Sequence, residues 1–287
     1  MAGLVINVPY GALAIPPAVR KRLPLDQNDI NGEHWRLCDP FLLEIFKQAS
    51  QGDAKRGPWP LASFPWSPLV ADPLGLIAVE LGQARQDHRG PALLTKTTTD
   101  KAMPEWGESD RKFLMEKTVA PYAADLEAKC LAQLKDQHLV ALITVRSFGS
   151  EPQMFERDRR RPRPQITLGS SDDHTPDGLP ILAGEIFRTL GFWPQLNWPV
   201  SGAVVPRELC GQPRLKALGL YLRRDLYLDE RTGRLKENRD AVTRVLRTFF
   251  SLLCQELDRV AKIRIQRAFP PRQSSNIIKA HNPAVEV

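Results

Sequence analysis

The segment Leu139–Val145, reading LVALITV, constrains the fold more than any other part of the chain. A continuous apolar run leaves no solvent face, so it predicts a strand covered on both sides, as in a sheet flanked by helices. It runs straight into Arg146 and Ser147, which puts two polar groups at a strand exit. Leu4–Val8 predicts another central strand, ending at Pro9 with Tyr10 and Gly11 at its tip. Leu76–Leu81, Gln165–Leu168 and Ala217–Leu222 predict further short strands, the last with Arg223 and Arg224 at its exit.

Helical spacing alternates with these runs. Phe41, Leu42, Ile45 and Phe46 share one face over Pro40–Ala49, with Asp39 near the N-cap. Ser109 to Leu134 is helical apart from a bend or break at Pro121, and Leu126, Cys130 and Leu134 form its sheet-facing stripe. Gly184–Leu190 reads as a helix end, with Gly191 at the C′ position. The longest helix covers Arg239–Arg267, buries Val242, Leu246, Phe249, Leu253, Leu257 and Val260, and stops at Pro270 and Pro271. Ser50–Ser67 is a loop pinned by Trp59 and Trp66, and Asp229–Gly233 is a turn.

Strands separated by helices predict an α/β fold with a mixed or mainly parallel sheet flanked by helices. At 287 residues the chain is long enough for one large core, expected over residues 1–270, with 271–287 as a C-terminal arm or loosely ordered tail. A dinucleotide-binding fold is disfavoured, because VPYGALAIPP after the first strand has one glycine and no phosphate-cradling fingerprint.

No run approaches the roughly 18 apolar residues of a membrane span, and the N-terminus lacks the basic head and apolar stretch of a signal peptide. A cytoplasmic protein without membrane contact is expected. Cys38, Cys130, Cys210 and Cys254 form no close pair, so buried thiols are expected rather than a redox element or zinc knuckle. The net charge of +7 favours an acidic small molecule, an acidic protein partner or nonspecific nucleic-acid contact. The tract FERDRRRPRP concentrates Arg157, Arg159, Arg160, Arg161 and Arg163 in a basic surface suited to phosphates, or in an ordinary charged loop.

VPYGALAIPP, DPFLLEIF, VELGQA, APYAADL, LITVRSF, PQITLGS, LNWPVSGA and LRRDLYLDERTG occur in an order that resembles the N-formylglutamate amidohydrolase family, across Ile6 to Leu257. The resemblance implies a compact α/β, phosphorylase/hydrolase-like fold that hydrolyses an N-formyl amide with a divalent metal, usually zinc. It also marks departures. Tyr10 stands where the family's first-strand motif has a metal-binding histidine, and Arg146 where a later strand end supplies another. Asp39 matches the family aspartate, whereas Glu80, Leu81, Gly82 and Gln83 replace an Asp-Leu-Asn-Arg motif. Ala123 replaces a histidine, and Tyr221 a glutamate ahead of the paired arginines.

A catalytic zinc needs about three protein ligands and an open position for water. A guanidinium offers no lone pair and repels a cation, so Asp39 remains as the residual inherited metal candidate. A divalent metal such as zinc at relocated ligands, drawn from Asp87 and His88 or from Asp172, Asp173 and His174, is the alternative to having no cofactor.

Ligand-binding candidates are Arg146, as a two-pronged carboxylate or phosphate site or else as a structural ion pair with a nearby acid, and Tyr10, as a hydrogen-bond donor to the same ligand or an aromatic plug in the former metal cavity. Ser147 lacks a nucleophile elbow and a partner histidine, and reads as a local hydrogen-bonding group. Glu80 and Asp39 pair only if their element ends meet; otherwise each makes its own salt bridge. Arg223 and Arg224 either put one side chain toward a ligand while its neighbour faces away, or form surface ion pairs. Asn197 either orients a ligand or caps a turn. The leading expectation is a family-related protein without the usual metal-dependent deformylase activity, whose degenerate pocket or surface serves small-anion or protein binding. An active hydrolase of a C–N amide bond in an N-formyl or N-acyl amino acid and a nucleic-acid-associated protein are the alternatives.

Overall fold

The computed structural model describes residues 1–53, 55–83, 91–156 and 158–268, with side chains described as far as residue 260. In chain order the elements are β1 (Ala2–Val8), α1 (Pro17–Arg20), α2 (Gln27–Leu37), α3 (Leu42–Ala49), β2 (Leu61–Ser63), α4 (Leu76–Glu80) and α5 (Glu108–Leu114). There follow a π-helical turn at Met115–Val119, α6 (Ala120–Asp136), β3 (Leu139–Phe148), β4 (Ile166–Gly169), α7 (Gly178–Thr189) and β5 (Pro194–Leu196). The chain continues through β6 (Leu215–Arg223), the hairpin strands β7 (Leu228–Asp229) and β8 (Arg234–Leu235), and α8 (Arg239–Ala268).

The central sheet runs β2-β1-β3-β6-β4-β5. Its pairs are parallel except β4 with β6, so the sheet is mixed and largely parallel. The period of two along each strand divides the core. Leu4, Ile6, Val8, Ala141, Ile143, Val145, Leu218, Leu220 and Leu222 face the side that carries α3, α7 and α8. Val5, Val140 and Leu142 face the side that carries α6. The apolar run in β3 is therefore continuous because both of its faces are buried.

From β1 the chain leaves toward β2, and from β3 it leaves toward β6, so the strand order reverses between β1 and β3. Crevices beyond the strand ends at such a reversal are where open α/β sheets bind ligands. Tyr10 follows β1, and Arg146 lies near the end of β3, directly opposite Tyr221 of β6.

Leu76–Leu81, expected as a strand, instead forms the short helix α4. The buried Asp72 carboxylate accepts the backbone N–H groups of Leu74, Gly75 and Ala78, and Gly75 takes the left-handed conformation that starts the turn. Asp39 does not cap α3; Phe41 is the N-cap residue, and Asp39 turns its carboxylate toward Ser147. The 50–67 loop contains the edge strand β2, and Trp59 anchors it edge-on to Phe250. Pro121 neither breaks nor ends the helical run, because it sits in the first turn of α6, just after the π-helical turn. Gly191 has φ 86°, as expected past the end of α7.

Two elements give little sequence signal. Helix α2 buries only Ile30, Glu33 and Leu37, and starts from a capping box between Asp26 and Asp29. Strand β5 is a short edge strand beginning at proline. In α8 the buried stripe runs through Val242, Leu246, Phe249, Phe250, Leu253 and Cys254, whereas Val260 is exposed. Pro270, Pro271 and the expected tail lie outside the described residues.

Phe249 stacks on Phe187 at 4.2 Å between ring centroids, which ties α8 to α7. Phe249→Ala should destabilise the protein by about 3–5 kcal/mol in urea denaturation, from lost burial plus the cavity left behind. Cys38, Cys130 and Cys254 are buried and Cys210 is exposed, so the expectation of buried thiols fails at Cys210. Burial pushes the Cys130 and Cys254 thiols up to about 12. Ellman's reagent should therefore react with Cys210 alone in the folded protein and with all four thiols in denaturant.

Candidate functional site

The reversal point is filled by a chain of charged and aromatic groups. The Tyr10 hydroxyl donates to Asp72 Oδ1 at 2.7 Å, which locks the ring in place. Burial and the neighbouring Asp72 charge hold the Tyr10 phenol well above its ordinary value, so it stays a neutral donor. The Arg146 guanidinium lies over the face of that ring, with Cζ 4.8 Å from the centroid. Its two terminal nitrogens donate to the two Glu80 oxygens at 2.5 and 3.1 Å. Burial alone would pull the guanidinium down, but Glu80, Tyr10 and Asp39 outweigh it and hold Arg146 well above its ordinary value.

A second chain starts at Asp39. Its Oδ1 accepts from the Ser147 backbone N–H at 2.9 Å and the Ser147 hydroxyl at 2.8 Å. Ser147 Oγ in turn accepts from Arg224 Nε at 2.9 Å, while the other Arg224 nitrogens hold the Trp35 and Cys38 carbonyls. Burial raises the Asp39 carboxyl above its usual range, opposed by Arg146, Arg224 and the Ser147 bonds. Ser147 thus has its proton on a buried carboxylate and a lone pair on a guanidinium, the arrangement of a structural bridge rather than a nucleophile.

These groups border a cavity of about 340 Å³, in the range of small-molecule sites. Glu80, Arg146, Ser147 and Arg224 line it, whereas Tyr10 and Asp39 lie behind them. Tyr10 directs its hydroxyl to Asp72 and its ring face to Arg146, and does not line the cavity. Glu80 and Asp39 do not pair with each other; both act on Arg146.

The two adjacent arginines part at the end of β6, where Arg223 is the last strand residue and Arg224 opens the 3-10 turn that follows. Arg224 turns in, while Arg223 pairs with Asp225 at 2.7 Å and donates to the Arg163 carbonyl. Asn197, at φ 51°, accepts from the Ser170 N–H at 2.9 Å and donates to Ser170 Oγ at 2.7 Å, which makes it a turn cap. Tyr221 donates to the Gly202 carbonyl at 2.5 Å. That contact needs Gly219, where a Cβ would come within 2.4 Å of the same carbonyl oxygen. Ala123 is exposed on α6.

The arginine-rich tract forms part of the cavity wall. Phe155, Glu156 and Asp158 border the cavity, and the arginines are matched locally. Arg159 donates to the Met154 carbonyl at 2.7 Å, Arg160 pairs with Asp158 at 2.5 Å and covers Trp198, and Arg161 pairs with Glu151 at 2.6 Å. Arg163, expected on the basic surface, is buried and anchors the loop through Glu156 and the Gly149 carbonyl. A charge so deep requires such a partner, which the sequence does not reveal. Arg157 lies outside the described residues.

Asp39 Oδ2 is a buried oxygen without a hydrogen-bond partner, the kind of donor a metal would take. The rest of the donor set does not fit. Among the described residues no group of three or more His, Cys, Asp or Glu side chains is placed to hold a metal ion. Both His174 ring nitrogens face backbone groups, the Leu215 carbonyl and the Gly211 N–H, and Asp87 and His88 lie outside the described residues. Asp72 and Arg36, which also lines the cavity, escape motif reading. The one available signal was Asp72 itself, a carboxylate followed by Pro73 and Gly75 in an otherwise apolar stretch.

Residues 2–228 match the family model described as N-formylglutamate amidohydrolase. Among solved structures, the chain is similar to an N-formylglutamate amidohydrolase from Ralstonia eutropha JMP134, with a TM-score of 0.68 and 17% identity over 89% of this chain and 94% of that one. It is also similar to a gene product from Agrobacterium tumefaciens, with a TM-score of 0.64 and 15% identity over 90% of this chain and 91% of that one. At these identities both structures speak for the fold. Comparison with curated proteins finds no match. Among the described residues, no helix is long and apolar enough to cross a membrane.

Tyr10→Phe should cost about 1–3 kcal/mol in equilibrium denaturation, because the buried Asp72 loses its side-chain donor. The three backbone donors that remain place the expected loss toward the lower end; a neutral result would show that the phenol contact does not brace the site.

Proposed function

Because the chain belongs to the N-formylglutamate amidohydrolase family, we propose that it is a member that binds small carboxylates in the inherited cleft without metal-dependent hydrolysis of an N-formyl amide. The observation that carries this reading is the Arg146 guanidinium, seated between the Tyr10 ring and the Glu80 carboxylate at a strand end where the resemblance gives a metal-binding imidazole.

Metal-dependent amide hydrolysis needs an activated water and an electrophile for the carbonyl oxygen. At this site the cation is organic and permanent, and it has no exchangeable coordination position. Its donors form a planar fork suited to a carboxylate. The fork borders the cleft, whose wall also includes Arg224 and Ser147, themselves engaged with each other and with Asp39, and the chain's net charge of +7 favours anionic ligands. The local pairing of Arg159, Arg160, Arg161 and Arg163 favours the pocket over the arginine tract as the binding element.

Calorimetry with glutamate, succinate and N-formylglutamate, alongside formate-release assays with and without added zinc, tests the reading. Carboxylate binding that Arg146→Met weakens by about tenfold, roughly 1.4 kcal/mol, is expected, with no formate release above background. Pocket-dependent formate release would contradict the non-hydrolytic reading, and absence of carboxylate binding would contradict the binding role.

A further inference from the structure

The Arg146 site already contains a carboxylate, and it belongs to the protein. Glu80 is the last residue of α4, a five-residue helix, and its side chain borders the cavity. Both of its oxygens face Arg146 in the two-pronged arrangement that a ligand carboxylate would adopt. The two partners differ in burial. The Arg146 side chain is 7% exposed and that of Glu80 is 33% exposed, so Glu80 can return to water at far lower cost than Arg146.

Glu80 takes the hydrogen bonds of both terminal nitrogens, but it is not the guanidinium's only support. The Tyr10 ring supports it from one face, and that ring is fixed by Asp72, itself held by three backbone N–H groups. If Glu80 swings out, a positioned fork faces a cavity of about 340 Å³, and its charge then needs another anion.

We infer that Glu80 is an internal pseudo-ligand, which occupies the carboxylate site on Arg146 in the free protein and yields it to the carboxylate of an incoming small molecule. The inference rests on the reading of the cleft as a carboxylate site and adds the device that controls access to it. A tethered competitor lowers the apparent affinity by the fraction of time it holds the site. If Glu80 holds Arg146 about nine-tenths of the time, its removal should raise affinity about tenfold.

Acetate is the probe, with chloride at equal ionic strength as the control. Glu80→Ala should melt below wild type, and acetate should raise its melting temperature in a saturable manner that chloride does not reproduce. Calorimetry should show acetate binding to Glu80→Ala about tenfold more tightly than to wild type, and the added Arg146→Met change should abolish the gain. Glu80→Gln keeps the side-chain shape without the charge and gives the same comparison should the alanine variant fail to fold.

An acetate response that chloride matches, or that persists without Arg146, would overturn the inference. Equal acetate affinity in wild type and both Glu80 variants would overturn it as well, while leaving carboxylate binding by the cleft intact. Tight binding only after Glu80 is removed would support the pseudo-ligand and refute the binding role proposed for the unmodified protein.

Discussion

A guanidinium buried at the junction of two parallel strands must be neutralised and supported, and the arrangement around Arg146 follows from that demand. An unpaired charge at such depth would cost several kcal/mol. Glu80 supplies the opposite charge, the Tyr10 ring supplies a polarisable face, and Asp72 fixes the ring. Each of these groups comes from a different segment, so the charge ties together the end of β1, the turn before α4, α4 itself and β3.

The Asp39–Ser147–Arg224 chain does similar work one residue further along β3. Ser147 joins a buried carboxylate to a guanidinium that also caps two backbone carbonyls at the C-terminal end of α2. Alternation along the strand sends Arg146 and Ser147 to different hydrogen-bond partners, while Asp39 still acts on the Arg146 charge. A cleft with a family's architecture can in this way change its chemistry, because the sheet fixes where side chains project and leaves open which atoms they carry.

The sheet was legible where local composition admits one answer. LVALITV has no polar face, and the stripe through Val242, Leu246 and Phe249 has helical spacing over a length no strand reaches. Leu76–Leu81 misleads because a short apolar run suits strand or helix equally, and the deciding contact comes from Asp72 in the preceding turn. Tyr10, Arg146 and Asp39 were legible as site positions through motif order alone. The partnership of Arg146 with Glu80 was not, since it spans 66 residues and depends on α4 being a helix. Arg163 shows the same limit: its local tract reads as surface, yet it is buried against Glu156 and the Gly149 carbonyl.

The Arg146 guanidinium and the Tyr10 phenol stand where the resemblance to the family places metal-binding nitrogens. Zinc titration of wild type against a Tyr10→His/Arg146→His double variant tests that replacement most directly, with circular dichroism confirming that both are folded. Wild type should bind no stoichiometric zinc, and the double variant should gain about one tightly bound zinc, completed by Asp39. Stoichiometric zinc held by wild type with the affinity of the double variant would contradict that expectation.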